Sequence, residues 1–481
     1  EVEQMNLFKD MVCYQEEVRD PSRMAEVLNR VIEKAIRGSA PAQINVPRDY
    51  WTQVIDIELP PIVRLERQGG GSDAVSKAAK LLSDAKFPVI LSGAGVVIGG
   101  AIEDCKKLAE KLDSPVCSGY QHNDSFPGSH PLAVGPLGYN GSKAAMQLIS
   151  KADVVLALGT RLNPFSTLPG YGLDYWPKDA KIIQVDMNSD RIGLTKKVTV
   201  GICGDAKLVS QQILEKLSPN AGDKGREERK NLIHQTKSAW LQTLTSLDHE
   251  DDDPGTVWNK EARERDSDRM SPRQAWRAIQ AGMPEDVIIS SDIGNNCAIG
   301  NAYPTFEKGR KYLAPGLFGP CGYGFPSILG AKIGCPETPV IGFAGDGAFG
   351  ISMNEMSSCA RKEWPNITMV IFRNYQWGAE KRNSILWFDD NFVGTELDPE
   401  LSYAKVADAC GLKGVTVKTM EETTKAIKQS CEDQKKGITT FIEIILNQEL
   451  GEPFRRDAMK KPVEVAGINK KDMKPQKSAI N

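Results

Sequence analysis

GFAGDGAFGISMNEMSSCARKEWPNITMVIFRNYQWG, residues 342–378, decides how this chain is read. Val340, Ile341 and Phe343 make a short apolar run that stops at the turn Gly345-Asp346-Gly347, as a buried strand does at its end. A helix-compatible stretch follows through Met353, Met356 and Ala360 and stops before Pro365; residues 367–372, rich in Ile and Val, read as the next strand. Strand, helix and strand in that order predict two parallel neighbours. Asp346 and Asn374 then lie just past the carboxyl ends of adjacent strands, where open α/β sheets bind ligands. A Gly-Asp-Gly alone is most often a turn. A carboxylate and a carboxamide side by side, however, suit Mg²⁺, which takes about six oxygens at roughly 2.1 Å and draws some of them from phosphates. The expected site is reached from the surface, and its ligand is a diphosphate.

The bulk properties fit a large enzyme. A chain of 481 residues has room for about three domains. Its net charge of −3 gives no electrostatic case for nucleic acid or an anionic membrane. No apolar run is long enough for a membrane helix. The ten cysteines contain no CxxC pair, which fits a reducing cytoplasm better than a disulfide framework or a zinc site. Four histidines, His122, His130, His234 and His249, argue against a histidine-rich metal centre.

Working outward, a Pro, Gly and charge-rich linker at 56–72 precedes a second α/β region, 73–218. There FPVILSGAG reads as strand and turn, AIEDCKKLAEKL as helix, SPVCSGY as strand, and ADVVLALGTRL and AKIIQVDMN as two more strands. Gly93 and Gly95 do not complete GxGxxG, and GPLGYNGSKAA lacks the Gly-Lys-Ser/Thr of a phosphate loop. Residues 219–270 are a charged connector, which as a pattern is solvated. Ser271-Pro272 opens a helix with good capping chemistry and with it the domain 271–454. A basic tail, 455–481, has no core pattern.

Gly345-Asp346-Gly347 followed at this spacing by Asn374 resembles the signature of thiamine diphosphate enzymes. The resemblance implies their α/β fold, parallel sheets flanked by helices in successive domains. It also implies that Asp346, Asn374 and the backbone carbonyl of Gln376 hold Mg²⁺, which grips thiamine diphosphate. Members often carry Asn-Asn where this chain has Arg373-Asn374. PGLFGPCGYGFPSILGAKIG, residues 315–334, is similar to the family's glycine-rich segment beneath the cofactor ring, which puts Gly319 and Cys321 against it; a buried, inert thiol is the expectation for Cys321. Gly294 and Asn295 resemble the turn that contacts the diphosphate, and Gly345, Gly347 and Ala348 complete the cofactor cradle.

Residues 1–55 resemble the last part of the family's pyrimidine-binding domain, so the chain reads as truncated at its start, and the glutamate that activates the cofactor is expected before Glu1. No residue of the chain is therefore assigned as catalytic. Within the family the resemblance is closest to the sulfoacetaldehyde acetyltransferases, in SGYQHNDSFPGSHPL, FGPCGYGFP, FRNYQWGAEKRNS and PFRRDAMKKPV. That implies conversion of sulfoacetaldehyde and phosphate to acetyl phosphate and sulfite by way of acetyl-thiamine diphosphate, in a homodimer or homotetramer. Arg373, Lys381, Arg382 and His122 are the candidates to receive the sulfonate and phosphate, with exposed charges and a loop histidine as the plainer alternatives for the last three. Two other readings stay open: an acetolactate synthase-like carboligase acting on pyruvate, and an inactive cofactor-binding subunit.

Overall fold

Near the start of the chain, strand β1 (Tyr14–Glu17) pairs in parallel with β2 (Ala42–Asn45), and the helix Met24–Gly38 makes the crossover between them. Val27 and Val31, one helical turn apart, press against Val18 and close a small core. These elements form one unit, Glu1–Glu66; the second is Arg67–Asn481. The computed structural model describes residues 2–61, 66–246, 264, 266–316, 318–361, 363–381 and 393–449, so Arg382 and the basic tail lie outside the described residues.

The second unit holds two six-stranded sheets, parallel throughout. The first comprises β3 (Pro88–Ser92), β4 (Val116–Ser118), β5 (Ala133–Pro136), β6 (Val154–Leu158), β7 (Lys181–Asp186) and β8 (Val200–Cys203), ordered β5-β4-β3-β6-β7-β8. β3 and β6 are buried along their whole length, as continuous apolar runs must be when helices cover both faces. A Cβ at Gly93 or Gly95 would come within 2.6 or 2.7 Å of Gly159, so these two glycines let the turns after β3 and β6 touch.

The second sheet comprises β9 (Ile288–Ser291), β10 (Tyr312–Leu313), β11 (Val340–Gly345), β12 (Thr368–Arg373), β13 (Lys413–Val417) and β14 (Thr440–Ile445), ordered β10-β9-β11-β12-β14-β13. β11 and β12 are the expected parallel neighbours, with Gly345 level with Phe372. Their crossover is not one helix. It runs as Asp346–Ser352, a single 3₁₀ turn Met353–Glu355, and Met356–Cys359. Ser352 and Asn354 sit at this break, and short polar side chains compete with the helix for backbone bonds. The helix Pro272–Gly282 starts on a full capping box between Ser271 and Gln274.

The charged connector corrects the sequence reading. Residues 226–246 form a helix, Arg226–Ser246, that buries Ile233 and Trp240. Arg229 is fully buried and donates to five main-chain carbonyls: Asp113 (2.9 Å), Lys86 (2.5 Å), Lys224 (2.8 Å), Leu112 (2.8 Å) and Gly222 (2.6 Å). A guanidinium can be buried in this way because its donors fan out in a plane and each finds an acceptor.

A polar seam joins the two sheets' domains. Asn123 donates to the carbonyls of Asn301 (2.8 Å) and Pro304 (2.9 Å), and Asp124 accepts from the backbone N–H groups of Lys311 (2.9 Å) and Tyr312 (3.3 Å). Ser129 binds Glu307 through both its backbone N–H and its hydroxyl. Among the described residues no helix is long and apolar enough to cross a membrane.

Candidate functional site

Three consecutive neighbours in the second sheet, β9, β11 and β12, end on the same side, and each is followed at once by a polar side chain: Asp292, Asp346 and Asn374. Asp346 is the first residue of its helix and is 1% exposed, so it is a buried carboxylate and not the surface-reached one expected. Its Oδ2 accepts from Tyr375 N–H at 2.7 Å and from Arg373 Nη1 at 3.1 Å; its Oδ1 accepts from Gly347 N–H at 3.0 Å. Burial pushes its pKa up to about 6 while the Arg373 charge pulls the other way. Oδ2 is thus saturated, and Oδ1 keeps one acceptor direction open.

Asn374, 2% exposed, has a buried Oδ1 with no hydrogen-bond partner. Tyr375 then takes a left-handed backbone, φ 61°, a conformation costly for a bulky residue, and this turn delivers its N–H to Asp346. Gln376 forms an antiparallel bridge with Glu396, flanked by the bonds Leu397 N–H to Tyr375 carbonyl and Trp377 N–H to Thr395 carbonyl. In such a bridge the N–H and C=O of the paired residue itself point to the other side, so the Gln376 carbonyl faces away from residues 395–397. Asp346 Oδ1 therefore has an acceptor direction to spare, Asn374 Oδ1 has no partner among the described residues, and the Gln376 carbonyl is turned away from residues 395–397. That hard-oxygen set fits Mg²⁺.

The surrounding glycines are there for close approach. A Cβ at Gly347 would lie 2.8 Å from the Trp377 ring. Gly319 and Gly322, φ 60° and 87°, shape the loop that carries Cys321, and Ala348 is buried just inside the helix. Cys321 is exposed, which corrects the buried thiol expected: it rides on a loop outside the sheet. Partial burial, with the Asp292 charge, pushes its pKa up, which keeps the thiol protonated and inert.

Asp292 was not singled out from sequence. It is 1% exposed and accepts from Ile293 N–H (2.8 Å), Gly322 N–H (3.2 Å) and Gly324 N–H (2.7 Å), pinning the glycine-rich loop to the turn that holds Gly294 and Asn295. Its signal was available, since it follows β9 as Asp346 follows β11. Gly294, φ 118°, and Asn295 open a short buried helix, Asn295–Ile299.

The anion candidates separate. Arg373 is 1% exposed and turned inward, towards Asp346 and Glu443. Lys381 stays beside the site, its Nζ 2.5 Å from Glu396, the bridge partner of Gln376. His122 belongs to the first sheet's domain, close to Arg161, and burial with that charge pushes its pKa down to about 4. An NMR titration should accordingly show the His122 ring neutral at pH 6 and titrating near 4. A folded pKa below the ordinary 6.5 means the unfolded chain binds the proton first, so His122's contribution to stability is intact above pH 6.5 and falls away as the pH drops towards 4. A midpoint above 6 would refute its burial.

Residues 75–216 match the family described as "Thiamine pyrophosphate enzyme, central domain", and residues 292–444 match "Thiamine pyrophosphate enzyme, C-terminal TPP binding domain". The chain is 77% identical to the "Probable sulfoacetaldehyde acetyltransferase" of Rhizobium meliloti (strain 1021), over 99% of this chain and 81% of that protein. It is 73% identical to the "Sulfoacetaldehyde acetyltransferase" of Roseovarius nubinhibens, over 99% and 79%. A more distant relative, the "Probable acetolactate synthase large subunit" of Methanococcus aeolicus, is 28% identical over 89% and 72%.

Proposed function

Since this chain belongs to the sulfoacetaldehyde acetyltransferase family of thiamine pyrophosphate enzymes, we propose that it converts sulfoacetaldehyde and phosphate into acetyl phosphate and sulfite. The observation that carries the reading is the unpartnered Asn374 Oδ1 beside the Asp346 carboxylate, on the ligand side of the sheet in a chain whose near relatives are named for this reaction. Asp346, Asn374 and the Gln376 carbonyl would hold Mg²⁺, which would supply the positive charge that binds a diphosphate; Gly345, Gly347 and Ala348 would leave room for it at the helix start, and Asp292 holds the loop of Gly319 and Cys321 in place through Gly322 and Gly324.

Thiamine diphosphate, when bound, supplies the electron sink that allows the C–S bond to break with sulfite taking the electron pair. The overall change balances without an external oxidant: the aldehyde carbon is oxidised to the acyl level, the carbon that loses sulfite is reduced to a methyl group, and a new C–O bond joins the acetyl group to phosphate. Lys381, ion-paired with Glu396 near the outer edge of the site, is a candidate to meet an incoming anion; Arg373 is turned inward onto Asp346 and Glu443.

The working form is a homodimer or homotetramer; Phe318, 92% exposed beside Gly319, and Ile351, 56% exposed and in contact range of Gly322, leave apolar surface at the site's edge for a second subunit. A cytoplasmic setting fits ten free cysteines, four of them exposed, and a role in sulfonate breakdown follows from the reaction. In the test, intact protein with both cofactors, given sulfoacetaldehyde, should release sulfite and form acetyl phosphate at a rate that rises with phosphate, the activity travelling with the oligomer on gel filtration. Acetolactate from pyruvate with no sulfite would overturn the proposal.

A further inference from the structure

Arg373 ends β12 with its guanidinium in the interior. Nη1 lies 3.1 Å from Asp346 Oδ2, Nη2 donates to the carbonyls of Asp398 and Leu401 (3.0 Å for the latter), and Nε is 3.7 Å from Glu443 Oε1. The plane sits 4.2 Å from the Tyr375 ring centroid and 5.4 Å from that of Tyr403. Glu443 is 2% exposed and is held by Ser402 Oγ (2.7 Å), Tyr403 N–H (3.2 Å) and Thr416 Oγ1 (3.3 Å). One guanidinium thus lies between two buried carboxylates, one of which is the cation ligand proposed above.

We propose that Arg373 is a resident counter-cation of the Mg²⁺ site: it keeps Asp346 aimed before any ion arrives, and by its own charge it makes retention of the ion conditional on the diphosphate. The inference rests on the reading of Asp346, Asn374 and Gln376 as the Mg²⁺ site. Arg373 uses Oδ2, leaving Oδ1 for the divalent ion, so the two cations share one carboxylate with little water between them to screen their repulsion. A diphosphate adds the negative charge that offsets both. Mg²⁺ and cofactor should therefore bind with strong positive coupling, and by linkage each should strengthen the other by the same factor.

Two variants shift the balance in opposite directions. Arg373→Gln removes the charge and leaves a shorter, neutral amide donor, and Glu443→Gln removes the second negative charge while its amide oxygen keeps accepting from Tyr403 N–H and its amide nitrogen can donate to the Ser402 hydroxyl. Calorimetric titration with Mg²⁺ alone, then with Mg²⁺ at saturating thiamine diphosphate, reads both affinities. In Arg373→Gln the affinity for Mg²⁺ alone should rise about tenfold or more and the coupling should shrink; in Glu443→Gln that affinity should fall by a similar factor; Arg373→Lys, which keeps the charge, should stay within about threefold of the parent protein. Should Arg373→Gln fail to fold, the Glu443→Gln titration still decides. Unchanged Mg²⁺ affinity in either neutral variant, with the parent binding ion and cofactor together, would overturn the role of Arg373 alone. A parent protein that binds no Mg²⁺ even with the cofactor present would overturn both this inference and the site on which it rests.

Discussion

Asp346→Asn should cost the protein its Mg²⁺-dependent hold on thiamine diphosphate, with apparent affinity falling about 100-fold or more. The substitution keeps the size of the side chain and, with its amide oxygen in the Oδ2 position, the acceptor for Tyr375 N–H and Arg373 Nη1; the amide nitrogen takes the place of the oxygen that Gly347 N–H uses. What it removes is the charge on the one anionic oxygen donor in the set; even indirect partners of metal ligands are typically worth about 10–100-fold, and a direct ligand should exceed them. Asp346→Ala is a different experiment. With Asp346 gone, Arg373 stays buried with Glu443, 3.7 Å away, as its remaining carboxylate among the described residues, and breaking a buried ion pair costs about 3–5 kcal/mol. Both variants take the counter-charge from Arg373 and should lose stability as well as cofactor, the asparagine variant less stability than the alanine one because its amide oxygen still accepts from Arg373 and Tyr375. Titration calorimetry with Mg²⁺ present and a urea melt without it separate the two. Parental cofactor affinity in Asp346→Asn would remove Asp346 from the metal site.

The second large effect lies far from that chemistry. Arg229→Ala should destabilise the domain of the first sheet by about 3–5 kcal/mol, because it strips the donor from five buried or half-buried carbonyls at once. Those carbonyls belong to the ends of the helices Ser72–Asp84 and Ile102–Leu112 and to the turn before Arg226–Ser246, so the guanidinium ties three helix junctions together. Lysine in its place has the charge without the planar fork and should recover only part of the loss. Denaturant unfolding followed by the fluorescence of Trp240, which the same helix buries, is the measurement. A loss below about 1 kcal/mol for Arg229→Ala would mean that water replaces the guanidinium without cost.

The strands around the site were legible because they are buried on both faces and so stand out as unbroken apolar runs, β11 and β12 most plainly. Asp346 and Asn374 were legible for a related reason: a strand end followed by a short polar residue marks the ligand side of a parallel sheet. Arg229 was hidden because its partners are main-chain carbonyls, which have no sequence pattern, and its neighbours are charged residues on the wet face of the helix. Arg373 could be placed on its strand but not oriented, since its inward turn depends on Glu443, seventy positions on, and on the carbonyls of Asp398 and Leu401. The exposure of Cys321 depends on where Asp292 anchors the loop, a contact between segments far apart in the chain.

The seam made by Asn123 and Asp124 bears on how such proteins can be recombined. Asn123 spans two carbonyls of the other domain, and Asp124 accepts the N–H groups that start its edge strand β10. A chimaera that grafts the first-sheet domain of a distant relative onto this cofactor domain would have to bring an Asn-Asp pair in register with residues 301–312, or leave those backbone groups dry and unbonded at the graft. The two domains are therefore best exchanged as one cassette.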